Sequence, residues 1–193
     1  MRARGSFVIL PCICVLALAA SGCGGGGGAK YSGASPDSWA ATVCGALSDW
    51  AQGLQADSRT LGSGLSASSS IKSVKARFVV FLKNARTSAE TMIDKIHNVG
   101  PPAVKDGAAI QRDLEAGLRQ ARASLSRAEE KAKKLPTSDL LSFSSAVTAL
   151  GGQAQKELTA TGDAFEELDK YDNDALNKAT SEEPACRRIS ARS

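Results

Sequence analysis

Beyond residue 36 the apolar side chains recur every three or four residues, and nowhere do they alternate for long with polar ones. A period of about 3.5 stacks apolar groups on one face of a helix, whereas a half-buried strand needs a period of two. The chain therefore reads as all-α. The first helix starts near Ser35-Pro36-Asp37, a capping residue followed by a proline suited to a first turn, and carries Trp39, Val43, Leu47, Trp50 and Leu54 on one face. A Ser- and Gly-rich stretch, Ser58 to Ser70, reads as a connection. A second helix opens at Ser69 or Ser70 with the stripe Ile71, Val74, Phe78, Phe81, Leu82, Ala85, Met92, Ile96 and Val99, and Gly100-Pro101-Pro102 stops it. The third takes Pro102 in its first turn, carries Val104, Ala108, Leu114, Leu118, Ala121, Leu125, Ala128, Ala132 and Leu135, and ends in Lys131, Lys133 and Lys134. Cations there suit the negative end of the helix dipole, so this run reads as helix chemistry rather than a binding patch. Thr137 or Ser138 then caps a fourth helix with Leu140, Phe143, Val147, Leu150, Ala154, Leu158, Phe165 and Leu168 facing inward. Short turns after the second and third helices favour an antiparallel up-down four-helix bundle over residues 37–193.

Ahead of the bundle, Arg2 and Arg4 lead into an apolar run from Phe7 to Ala20, the pattern of a secretory signal peptide over residues 1–22. That run falls short of the roughly 20 apolar residues of a membrane span, and Pro11 interrupts it. Two exits compete. Ala17-Leu18-Ala19 suits an ordinary signal peptidase, and Ala20-Ser21-Gly22-Cys23 resembles a lipobox, although it lacks the usual Leu three residues before the cysteine. Cysteine parity favours the second. Cys12 and Cys14 leave with the signal; simple secretion would strand an odd set of Cys23, Cys44 and Cys186, whereas acylation of Cys23 leaves an even pair. At ~0.8 kcal/mol per buried methylene, the chains on an acylated cysteine hold a protein at a membrane. Gly24 to Gly28 and the residues up to 36 read as a flexible tether, with a mean reach on the order of 20 Å.

In an up-down bundle the end of the fourth helix returns beside the start of the first, so the tail after Leu176 can bring Cys186 to Cys44. Export to an oxidising compartment favours the bond. Closing a loop of about 140 residues would stabilise the fold by at most ~5 kcal/mol on the chain-entropy estimate.

Loss of Arg2 and Arg4 lowers the formal charge of +4 to about +2. That near-neutral balance argues against a nucleic-acid partner and against strong general attraction to anionic lipid.

Trp39-Ala40-Ala41-Thr42-Val43-Cys44, the turn Gly100-Pro101-Pro102-Ala103-Val104-Lys105-Asp106-Gly107 and the ending Pro184-Ala185-Cys186 carry a resemblance. The chain resembles the small secreted lipoproteins of actinobacteria, mostly hypothetical proteins, over most of its mature length. The resemblance implies location and fold, and it brings no activity and no catalytic residue.

Motifs for chemistry are few. His97 is the only histidine, which excludes any site built on two imidazoles. Asp94 and His97 share a helix face, but a carboxylate-bridged di-iron bundle asks for two Glu-x-x-His helices, so His97 reads as a surface or turn residue and no metal or cofactor is expected. Gly64-Leu65-Ser66-Ala67-Ser68 ends in Ser where a nucleophile elbow requires Gly. An EF-hand numbered from Asp172 through Asp174 to Glu183 fails at Leu176 and at Asn177, which replaces the turn glycine. With Asp163, Glu166, Glu167 and Asp169, those acids read as a solvated face or as partners for Arg187 and Arg188. Both tryptophans read as packing.

These readings leave a membrane-anchored, non-enzymatic interaction or spacer module facing an envelope protein or wall polymer, with no catalytic residues. The alternative is a carrier for a small apolar or lipidic ligand between helices, but an aromatic content of 5% and many seam alanines favour close packing over a cavity. Replacing Cys23 with Ser is expected to move the protein from the membrane fraction to the medium. An unprocessed, membrane-bound Ser variant would make the apolar run itself the anchor.

Overall fold

The structure is a computed structural model that describes residues 30–63, 70–166 and 170–190. Among the described residues six helices pack together: α1 (Pro36–Ser63), α2 (Ile71–Val99), α3 (Gly107–Lys133), α4 (Leu140–Glu166), α5 (Asp174–Glu182) and α6 (Pro184–Ser190). No strand occurs among the described residues; a single isolated bridge joins Ala34 to Pro102.

Short polar side chains set most of the helix starts. Ser35 Oγ accepts from the Ser38 N–H at 3.2 Å ahead of Pro36, and Ser70 Oγ accepts from the Ser73 N–H at 3.2 Å. Gly100, at φ 71°, closes α2 by donating its N–H to the His97 carbonyl at 3.1 Å. α4 is capped by Asp139 rather than by Thr137 or Ser138. Asp139 Oδ1 accepts from the Ser142 N–H at 2.8 Å, and Ser138 supports the cap through Asp139 Oδ2. The first turn is thereby shifted, and Leu140, expected to face inward, stands 70% exposed. α1 also runs further than its composition suggested, taking residues 58–63 into the helix.

Pro102 does not enter α3. It lies buried in the connection, where Ala34 donates to the Pro101 carbonyl at 2.9 Å and accepts from the Ala103 N–H at 2.7 Å. The expected free tether therefore ends before Ala34, which is held against the α2–α3 turn. Two glycines make that approach possible. A Cβ on Gly33 (φ 140°) would overlap the Pro101 carbonyl, and one on Gly107 would overlap the Pro102 carbonyl.

α2 and α3 form an antiparallel spine whose cross-contacts run from Lys75 with Leu135 at one end to His97 with Glu115 at the other. Two apolar clusters sit at its ends. Beside the tether, Trp39 and Val43 of α1 meet Met92, Ile96, Ile110, Leu114 and Leu118. At the far end, Leu82, Ala128, Ala132 and Leu135 meet Phe143 and Leu150 of α4, with Ile71, Phe78 and Phe81 partly covered. Ala85, Ala89 and Ala121 are buried on the spine helices, so the backbones approach closely.

α4 packs on α3 and shares its apolar cluster with the first half of α2, and the helices packed beside α1 are α2, α5 and α6. The tail after Leu176, expected only as a returning segment, is thus two short helices that cover α1, and Leu176 itself joins the tether-end cluster. The side chains of Ala154, Leu158 and Phe165, together with Leu168, lie outside the described part of the chain.

Gly107→Ala is expected to destabilise the fold by about 1–3 kcal/mol, because its Cβ has nowhere to go except through backbone shifts. Gly45→Ala, inside α1 with open space around it, is expected to stabilise by about 0.5–1 kcal/mol. Thermal melts of the two variants check both signs.

Candidate functional site

Among the sequence-predicted positions, Cys44 on α1 and Cys186 on α6 are joined as a disulfide with their Cα atoms 5.0 Å apart, inside the ~7 Å that a bridge allows. Ala185 and Ile189 pack around it. Cys23, the signal segment and Gly64 to Ser68 lie outside the described residues. Asp174 opens α5 beside its cap Asn173, and Glu183 Oε1 accepts from the Ala185 N–H at 2.9 Å. Arg187 donates to the Ser181 and Glu182 carbonyls, while the side chains of Asp163, Glu166, Glu167 and Asp169 lie outside the described residues. No group of three His, Cys, Asp or Glu able to share a metal ion occurs among the described residues. Nor is any described helix long and apolar enough to cross a membrane.

A polar network follows the α2–α3 seam. Trp39, 5% exposed, donates its indole N–H to Gln111 Oε1 at 3.0 Å, and Gln111 Nε2 donates to the Ile96 carbonyl and to Glu115 Oε1, each at 2.9 Å. Glu115 also meets His97 Nδ1 at 3.0 Å and Arg119 at 2.9 Å. His97 is thus a surface residue whose carboxylate partner comes from α3, not from Asp94. Further along, Glu129 binds Arg86 and Lys133, and Glu90 binds Arg86 and Arg122. Burial alone would raise Glu115, but hydrogen bonds from Gln111, His97 and Arg119 outweigh it and hold its carboxyl below the ordinary value. Lys133 and then Arg86 hold Glu129 low, and Arg122 does most to hold Glu90 low. The charges of this seam answer one another.

The far end of the molecule differs. From Ile71 to Ala89, α2 carries Lys72, Lys75, Arg77, Lys83 and Arg86 and no acid. Arg86 is paired, and Lys75 donates to the Leu135 carbonyl at 2.8 Å. Lys72, Arg77 and Lys83 are exposed and have no carboxylate partner among the described residues. Lys72 and Lys75 line a hollow of about 510 Å³ with Val79, Lys133 and Thr137, and Arg77 and Val80 line a mostly apolar groove of about 330 Å³ against Asp57 and Leu61 of α1. Both are open to solvent. Val80, in the groove, is 55% exposed, and at the start of α4 Leu140 is 70% and Leu141 82% exposed. Sequence reasoning missed this surface; its signal is the acid-free first half of α2.

No family model, no curated protein and no solved structure matches this chain.

Carboxylates held below their ordinary value of 4.5 bind fewer protons in the native than in the unfolded state. Their contribution is present above about pH 4.5 and is lost as the pH falls through their native values. Melting temperature is therefore expected to fall steeply on acidification below about pH 4.5, and Glu129→Gln to lower it at neutral pH while making that acid dependence shallower. An unchanged acid slope in the variant would remove Glu129 from this role.

Proposed function

We propose that the protein is an extracytoplasmic lipoprotein, acylated at Cys23, whose up-down helical body is a non-enzymatic interaction module presenting its far end to a partner. The observation that carries this reading is the segregation of surfaces along the spine. The chain leaves toward Cys23 beside the α2–α3 turn, and α5 and α6 are bonded back over α1 at that same end. Three of the four exposed large apolar side chains among the described residues, Val80, Leu140 and Leu141, lie toward the other end. With 29 residues, α2 separates the two ends by about 43 Å. Apolar groups left uncovered together are where a partner is sought. The pairing of Cys44 with Cys186 supports acylation, since it leaves Cys23 as the odd cysteine once Cys12 and Cys14 are removed. The open form of both hollows, and the buried alanines between the two core clusters, favour an interaction surface over a carrier's enclosed cavity.

A photo-cross-linking residue placed at Leu141 in the anchored protein is expected to give adducts that are absent when it is placed at exposed Lys178 on α5. Equal labelling at both positions, or none at either, would overturn the reading.

A further inference from the structure

We propose that the far-end surface of α2 and the α4 start is a docking surface for an anionic lipid bilayer, an inference that rests on the interaction-module reading and names its partner. The first support is electrostatic. Lys72 and Lys75 stand in the first turns of α2, where the helix dipole is already positive and acidic residues would stabilise the helix. Lys72, with Arg77 and Lys83 beyond it, has no carboxylate partner among the described residues, whereas Arg86, Lys95, Arg119, Arg122 and Lys133 each have one. Lys72 thus opposes the helix dipole, and Lys72, Arg77 and Lys83, with Asp57 of α1 lining the groove beside Arg77 but forming no ion pair with it, leave a cationic surface complementary to an anion outside the molecule.

The second support is apolar. Val80 lies on α2 between Arg77 and Lys83, and Leu140 and Leu141 stand exposed at the start of α4, three and four residues beyond the Thr137 that lines the lysine hollow. A soluble acidic polymer gives alkyl side chains nothing to bury in. A bilayer offers both parts, headgroup charge for the cations and the acyl boundary for the alkyl groups, as it does to amphipathic helices rich in Lys and Arg. The near-neutral total charge conceals this patch because the α2–α3 seam is balanced within itself, and acids elsewhere, Asp172, Asp174, Glu182 and Glu183 among them, offset the patch only in the sum. With the anchor at Cys23 proposed above, a tether of the reach expected from the glycine-rich sequence would let the body lie along its own membrane with this face of α2 against the lipid.

The full chain carrying Cys23→Ser, which has no acyl group, tests this by co-sedimentation with vesicles of phosphatidylcholine alone and of phosphatidylcholine mixed equally with phosphatidylglycerol. Binding is expected only to the mixed vesicles and is expected to weaken with salt; equal binding to neutral vesicles would trace it to the apolar run of the signal and overturn the proposal. Replacing Lys72, Arg77 and Lys83 together by Gln is expected to lower the partition coefficient on the order of 100-fold. Leu140→Ser with Leu141→Ser is expected to lower it on the order of 10-fold. Both variants should melt as the parent does, because they alter exposed groups, and Lys178→Gln should bind as the parent does. No binding to mixed vesicles, or unchanged binding by either multiple variant, overturns the proposal. So does capture by soluble polyglutamate that the Leu-to-Ser changes leave intact, which would assign the surface to an acidic polymer. Cross-links from Leu141 to protein rather than lipid would overturn the lipid partner and leave the interaction-module reading standing.

Discussion

Three helices are set in register by one buried amide. Gln111 on α3 uses its oxygen for the Trp39 indole of α1 and its nitrogen for the Ile96 carbonyl of α2 and for Glu115 of its own helix. A buried amide without partners is costly, so a slip of either neighbouring helix would leave a donor or acceptor unmet in the tether-end core. Apolar seams alone tolerate such slips, because one alanine or leucine replaces another along the stripe. Gln111 makes the arrangement particular, and Glu115, His97 and Arg119 extend the same network toward the surface.

From that fixed point the fold grows less closed toward the far end. The tether-end cluster is covered by α5 as well as by the long helices, and it is stapled by the disulfide. At the other end Ile71, Val74, Phe78 and Phe81 are only partly covered, and α4 packs there without α1. The ion pairs of Arg86, Glu129 and Lys133 tie α2 to α3 across this half, where apolar coverage is thinner.

Much of the helix order was legible because it rests on local rules. A 3.5-residue seam, Ser70 as a cap, Gly100 as a stop and the ending at Lys131 to Lys133 depend on neighbours within a turn or two. The departures arise where distant segments decide. Pro102 reads as a first-turn proline until Ala34 claims the backbone on either side of it. Leu140 reads as seam until Asp139 takes the cap. Residues 174–190 lack a long periodic stripe, and they form helices against α1, which supplies most of their apolar contact. Gln111 is invisible in the same way, since a polar residue on an amphipathic helix ordinarily marks its wet face. The acid-free half of α2 was present in the sequence, but summing charge over the whole chain erased it.

The covalent link between α1 and α6 also determines how the protein bears tension. A pull on the tether first meets the two backbone hydrogen bonds that hold Ala34 to the α2–α3 turn, then the first turns of α1. At Cys44 the load divides through sulfur between α1 and α6, whose cysteines are separated by 142 positions in the chain. Beyond that point, about ten residues into the fold, further peeling has to loosen both helices together instead of one. A body held at its N-terminal tether and at the far-end surface would give first at the leash.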